Sequence, residues 1–217
     1  MIGGSAIYRV LRSPRAGKLL VVLAIGAFGV LLLRTAWLTD DAYITFRTVD
    51  NLIHGHGLTW NTNERVQVFT HPLWMFLISA FYFAAREIFL TAIFVSITVS
   101  LAAVAIVSLR IAATPALGFL AVAIFGLSRP FVDYSTSGLE NPLSHLLLAV
   151  FLLLFLRYPS SPKTLLLLTL VAALAMLNRM DLVLLCAPAL ALAWLHQRSW
   201  PATGMVLLGL TPFAALK

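Results

Sequence analysis

The chain has 217 residues, 61% of them hydrophobic and 11% charged, with a formal net charge of +7 and a mean hydropathy of +0.96. A soluble domain is about half apolar and roughly a quarter charged, so this chain cannot hide its apolar residues in one water-soluble core. The bases are scattered through loops with no basic face interleaved with aromatics, which sets nucleic acid aside as a partner. The one cysteine, Cys186, allows no intrachain disulfide and suggests no cysteine metal site.

The N-terminus is basic (Arg9, Arg12, Arg15, Lys18) and then apolar from Leu19. The apolar run is too long for a signal-peptide core, and no small-residue cleavage site follows it. It predicts a retained first span over 19–38. Asp40 and Asp41 come directly after it. Two adjacent carboxylates repel each other and are costly beside hydrocarbon. One reading is helix capping at a wet interface, where an extra acid in the first turn also suits the helix dipole. The other is function. The residues alone leave both open.

Residues 39–71 form the only long polar segment. Thr39 or Asp40 can cap a helix, and Tyr43, Phe46, Val49, Leu52 and Ile53 recur at helical spacing. An amphipathic helix over 41–54, lying along the interface, is therefore predicted. Gly55 and Gly57 end it. LTWNTNERV reads as two short extended pieces about a Thr62–Asn63 turn. His54 and His56 have a spacing that can bind zinc on a strand, but no third ligand stands out, so a turn after the helix is expected. Tyr43, Trp60 and Trp74 suit an interfacial aromatic belt, and can also stack on a sugar.

His71-Pro72 opens an ambiguous apolar stretch, 72–89, with Arg86 and Glu87 near its end. Further spans are predicted at 90–109, 115–132, 142–157, 164–178, 182–195 and 201–216, each close to the ~20 apolar residues that cross hydrocarbon. Charge decides about 72–89. Cytoplasmic loops collect Lys and Arg. If 72–89 does not cross, Arg110, Arg157, Lys163 and Arg198 join the N-terminal bases inside, and all eight acids lie outside. If it crosses, those bases move out and four acids move in. The expectation is a single transmembrane domain over 1–217 with seven spans. Its N-terminus is cytoplasmic, and residues 39–89 form an outer loop with an interfacial helix and a re-entrant segment. The last apolar stretch ends TPFAALK without a clear exit loop, and the chain looks truncated at its C-terminus.

Three stretches carry a resemblance. DDAYITFR, then DN, GHGL-WN, ERV and a Thr-His-Pro-Leu-Trp start to the next segment resemble the first outer loop of polyprenyl-phosphate-dependent membrane glycosyltransferases of the GT-C superfamily. The likeness is to the arabinofuranosyltransferase-like branch of cell-envelope synthesis. STSGLENPL (135–143) resembles that branch's second outer motif, and LNRMDLVLL (177–185) its Arg-x-Asp motif. The resemblance spans about 35–190 and implies an all-α polytopic membrane protein. This would be a GT-C-like bundle of about seven helices with amphipathic and re-entrant helices in its outer loop.

It also implies an inverting transfer of a sugar, arabinofuranose being one candidate, to an envelope glycan or lipid acceptor on the outer membrane face. The family's general base falls on Asp40 or Asp41, which the sequence does not separate. Glu140 would contact acceptor or a divalent cation, or else cap the helix that follows. His71, Arg179 and Arg47 are candidate substrate contacts, with Arg65 and Arg129 also on the outer side for the leaving phosphate. For Arg179 the plainer reading is a local pair with Asp181, and for Arg47 it is snorkelling. No motif demands a cofactor. The competing classes are a transporter or flippase subunit, which predicts ionisable groups at the bilayer midplane, and a scaffold or inactive fragment, which predicts no convergence of acids.

Overall fold

The computed structural model describes residues 14–64, 66, 68–157, 161–197 and 199–215. Arg9, Arg12, Arg65 and Arg198 lie outside the described residues. Regular structure among the described residues is all helical: α1 (Pro14–Arg34), α2 (Asp40–Ile53), α3 (Pro72–Ala85), α4 (Ile88–Ala105, running on as a π turn, Ile106–Ile111), α5 (Pro115–Leu127), α6 (Arg129–Tyr134), α7 (Asn141–Arg157), α8 (Pro162–Asn178), a 3-10 turn (Met180–Leu182), α9 (Val183–Gln197), α10 (Trp200–Gly209) and α11 (Thr211–Ala215).

Local chemistry sets the starts. Pro72, Pro115 and Pro162 each occupy a first helical turn, where the missing N–H costs nothing. The Thr114 and Ser161 hydroxyls cap α5 and α8 by accepting from Leu117 N and Thr164 N. Glu87 caps α4 with both carboxylate oxygens, on Phe89 N at 3.0 Å and Leu90 N at 2.6 Å. Arg86, at φ 54°, makes the left-handed corner between α3 and α4.

Among the described residues three helical stretches are long and apolar enough to cross a membrane: 15–34, 88–111 and 180–197. The other apolar helices are shorter, and the predicted spans shift accordingly. The first helix ends at Arg34 rather than at 38, because the strand-like link after it is held sideways. Trp37 Nε1 donates to Asp133 O and Thr39 N donates to Ser137 O, each at 3.0 Å. The expected 115–132 span breaks at Ser128, two residues before Pro130, which cannot continue a helix at that point. Large side chains such as Leu23, Phe94, Ile124 and Leu184 are exposed on the helix surfaces, as apolar surroundings require.

The helix predicted over 41–54 forms one residue early, and Gly55 and Gly57 follow it at φ 81° and 83°. The two extended pieces in LTWNTNERV are a correction: a turn stands at Thr62–Asn63, but no strand is present among the described residues. The carbonyls of Thr59 and Trp60 are taken by side chains of α2 instead. Asn51 Nδ2 donates to both, and Arg47 Nε donates to Trp60 O. Trp74 is also corrected. It is fully buried, not in a belt, and its indole N–H donates to Gly138 O at 2.9 Å.

One apolar core joins α2 (Ala42, Phe46, Val49) and α3 (Trp74, Met75, Ile78) to α4, α7 and α8. A second joins α1 to α4, α5 and α6 through Phe28, Leu32, Ile97 and Val122. A third joins α7, α8 and α9. Both ends of α3 are tied to α2. His71, just before it, meets Thr45, and Tyr82, in its last turn, donates to Asp50 Oδ1 at 2.6 Å.

Candidate functional site

The site assembles where α2, the start of α3, the 135–140 loop and the end of α8 meet. Its backbone anchor is Gly138. This residue sits at φ +82°, and a Cβ there would lie 2.8 Å from Ala42 Cβ and 2.9 Å from Leu38 Cδ2. Only glycine accepts both the conformation and the approach. With Gly138 pressed on α2, the next turn aims Glu140 inward.

Glu140 is the hub. Its Oε2 lies 3.5 Å from His71 Nδ1, and its Oε1 lies 3.6 Å from Arg179 Nη1. Its backbone carbonyl accepts from Asn178 Nδ2 at 2.9 Å. Arg179 grips Asp181 with two bonds, Nε to Oδ1 at 3.1 Å and Nη2 to Oδ2 at 3.0 Å, and Nη1 donates to Asn141 Oδ1 at 3.2 Å. His71 Nε2 is 2.7 Å from Thr45 Oγ1, and Thr70 Oγ1 is 3.3 Å from Nδ1. Burial holds the His71 imidazole below its ordinary pKa. Glu140 pulls the other way, and Arg179 adds to the lowering. The neutral ring is therefore favoured. Asp181 holds the Arg179 guanidinium even more firmly in its charged form, with burial opposing.

A cleft of about 520 Å³ opens on this cluster, lined by Phe69, Thr70, Glu140, Asn178, Arg179, Met180 and Asp181. Asn178 is buried, and its Nδ2 also donates to Ser144 Oγ at 2.9 Å. Its Oδ1 has no protein partner. A buried acceptor left unpaired costs about 1–3 kcal/mol, a cost that falls beside the cleft.

Of the sequence-predicted residues, Glu140, His71 and Arg179 come together here. Asp40 and Asp41 do not line the cleft. They sit exposed at the start of α2, beside it through the Thr39–Ser137 bond. Asp40 Oδ1 accepts from Thr39 Oγ1 and from Asp41 N, each at 3.0 Å, so this carboxylate is engaged at the helix start. Among the described residues the Asp41 carboxylate accepts no hydrogen bond. Arg47 stands apart: it stacks 4.6 Å over Trp60 and donates to Asn61 Oδ1. Arg129 is exposed on α6, 3.5 Å from Asp133.

Among the described residues no three His, Cys, Asp or Glu side chains gather to hold a metal. The Arg179 guanidinium beside Glu140 competes with a divalent cation for this carboxylate. His54 Nδ1 lies 2.9 Å from Asp50 O, in the turn expected there. Sequence reasoning missed Thr45, Asn141 and Asn178. Thr45 stands four residues after Asp41, one helical turn on, and Asn178 is the residue before the Arg-x-Asp motif. Both signals were on the page, but their partners lie far away in the chain.

Two curated relatives match. Each is a terminal beta-(1->2)-arabinofuranosyltransferase. The one from Corynebacterium glutamicum is 31% identical over 137 residues, covering 59% of this chain and 20% of the relative. The one from Mycobacterium tuberculosis is 26% identical over 198 residues, covering 82% of this chain and 32% of the relative. The chain thus spans between a fifth and a third of the length of the curated relatives it matches. Neither a protein-family profile nor a solved structure matches the chain. The likeness supports a glycosyltransferase-like family and agrees with the resemblance carried by the three motifs.

Proposed function

We propose that the chain carries the outer-face site of an inverting membrane glycosyltransferase of the GT-C type, using a polyprenyl-phosphate sugar as donor and an envelope glycan or lipid as acceptor. The observation that carries the reading is the convergence of Glu140, Arg179 and Asn178 on one cleft, with His71 against Glu140 and the acidic start of α2 nearby. Three segments far apart in sequence supply these groups, and each falls in one of the three motifs that prompted the resemblance.

The charges decide what the cleft holds. Glu140 and Asp181 bring two negative charges, Arg179 one positive, and His71 none, so the cluster is net −1. Such a site disfavours the anionic phosphodiester of the donor and suits the hydroxyls of a sugar. Carboxylates receive their O–H donors. We therefore assign the cleft to sugar hydroxyls, with Glu140 as the contacting carboxylate. Arg179 positions Glu140 and Asp181, and His71 supports Glu140 from the other side.

The reaction follows. A carboxylate at the start of α2 takes the proton of the acceptor hydroxyl. The acceptor oxygen forms a bond to the sugar's anomeric carbon, from the face opposite the phosphate. The carbon–oxygen bond to phosphate breaks, and polyprenyl phosphate leaves with the electron pair. Asp41 is the better base, because its carboxylate is unengaged, whereas Asp40 Oδ1 holds the helix start. Asp40 orients Asp41 by accepting from its backbone N–H.

The test is sugar transfer by membranes containing the chain, from a panel of polyprenyl-phosphate sugars to an envelope-type glycan, at matched expression. Asp41→Asn is expected to lose about 100-fold or more, and Asp40→Asn less. Equal transfer by wild type and both variants removes the carboxylates from the mechanism.

A further inference from the structure

A second polar cavity, about 400 Å³, lies at the opposite end of α7 from the cleft. The α7 helix spans Asn141 to Arg157, which at 1.5 Å per residue separates the two sites by about 24 Å. Lys18 of α1, Arg110 of the π turn and Arg157 at the end of α7 line this cavity, together with Ser108 and the Thr114–Pro115 start of α5.

We propose that this cavity binds a phosphate group, supplied by the headgroup of an anionic membrane phospholipid. Three cations converge on it and no carboxylate lines it. Among the described residues none of the three cations pairs with a carboxylate. Like charges sharing one cavity repel, and an anion relieves that cost.

Ser108 supplies the second observation. It is 3% exposed, it lines the cavity, and its Oγ has no protein partner. Several hydroxyls in these apolar helices close on their own helix, as Ser79 does on Met75 O, Thr98 on Phe94 O and Thr169 on Leu165 O; Ser96 of α4 is also buried and unpaired, but it does not line the cavity. Ser108 does not close on its helix, and it lies in the π turn, where Ala112 N reaches back five residues to Val107 O. Such turns re-aim side chains and are common at functional sites.

Close packing fixes the cavity's wall. A Cβ on Gly118 would lie 2.3 Å from Ser108 O, so α5 can approach the π turn only with glycine at that position. Plain snorkelling of bases to a membrane surface explains cations at this rim. It does not explain three of them around one cavity with a buried, unpaired hydroxyl. Basic pockets between membrane helices, at a face rich in Lys and Arg, suit lipid phosphates.

The test uses the whole chain in phosphatidylcholine nanodiscs. Retention of phosphatidylglycerol is read by native mass spectrometry, and the Tm shift by thermal unfolding. A parallel arm adds inorganic phosphate to the chain in neutral detergent. Wild type is expected to prefer phosphatidylglycerol over phosphatidylcholine. The double variant Arg110→Gln with Arg157→Gln is expected to bind it about tenfold more weakly or worse. Arg15→Gln with Lys163→Gln removes the same charge from outside the cavity and should bind as wild type. Equal weakening of both double variants, or no preference in wild type, overturns the proposal. A response to inorganic phosphate with none to phosphatidylglycerol overturns the lipid assignment. If the arginine double variant does not fold, Ser108→Ala reads the same site without a charge change. Weaker retention supports the proposal, and unchanged retention overturns it.

Discussion

His71 shows how one side chain can serve both fold and site. It precedes α3, meets Thr45 of α2 and faces Glu140 across the loop. Burial favours its neutral form, so its folded pKa lies below the unfolded one. Above the unfolded value, near 6.5, both states are neutral and the ring contributes no pH dependence. As pH falls through that value the unfolded chain takes up the proton first, and stability is lost until the folded pKa is passed. We therefore expect the wild-type Tm in detergent to drop more between pH 7.5 and pH 5 than that of His71→Gln, which carries no titrating ring. Parallel curves would show that the imidazole is not held neutral. None of this was legible from the sequence. His71 was visible as a residue before proline and a candidate contact, but Thr45 stands 26 residues earlier and Glu140 in another loop, and no spacing rule links them.

At the scale of elements, much was legible where the signal was local. The apolar positions from Tyr43 to Ile53, an acid pair in front and glycines behind specify α2, and the helix stands at Asp40–Ile53. The starts of α3 and α5 at Pro72 and Pro115 were equally plain, whereas α8 begins at Pro162, two residues before the expected 164. What failed depended on partners. LTWNTNERV has strand-like residues, but a strand needs a neighbour, and Arg47 and Asn51 took its carbonyls first. Trp74 has the look of a belt residue, yet Gly138 offered its indole a buried acceptor.

That same glycine gives an element-scale prediction. Gly138→Ala puts a Cβ against Ala42 and Leu38 in a left-handed conformation, at a cost of about 2–4 kcal/mol from backbone strain and overpacking together. Gly26→Ala, inside α1, meets nothing within 4 Å and should be neutral or slightly stabilising. Thermal unfolding of the two variants checks this. Similar Tm values would mean that the 135–140 loop does not press on α2 as described.

For the whole molecule the open matter is which helices cross. By rise per residue, 15–34 and 88–111 reach about 30 and 36 Å, enough for a hydrocarbon core of about 30 Å. The α7 and α8 helices reach only about 25 Å, and α5 about 20 Å. A shortfall of that size is met by local thinning at fractions of a kcal/mol per Å, so the seven-span arrangement remains our proposal for these shorter helices. The placement of α3 supports it. Thr45–His71 at one end and Asp50–Tyr82 at the other keep α3 alongside α2. If α2 lies in the interface, α3 cannot leave that face. Every later loop then takes the side that puts the acids out and the bases in.

Labelling with a membrane-impermeant maleimide tests this. Cys186 is buried, so the natural chain gives a low background. His56→Cys, in the exposed turn after α2, should label from outside intact cells. Lys163→Cys, at the exposed start of α8, should label only after permeabilisation. If Lys163→Cys also labels from outside, α3 crosses the membrane. The 161–163 turn would then share a side with the α2 loop, and the charge argument that placed the cleft at the outer face would fail with it.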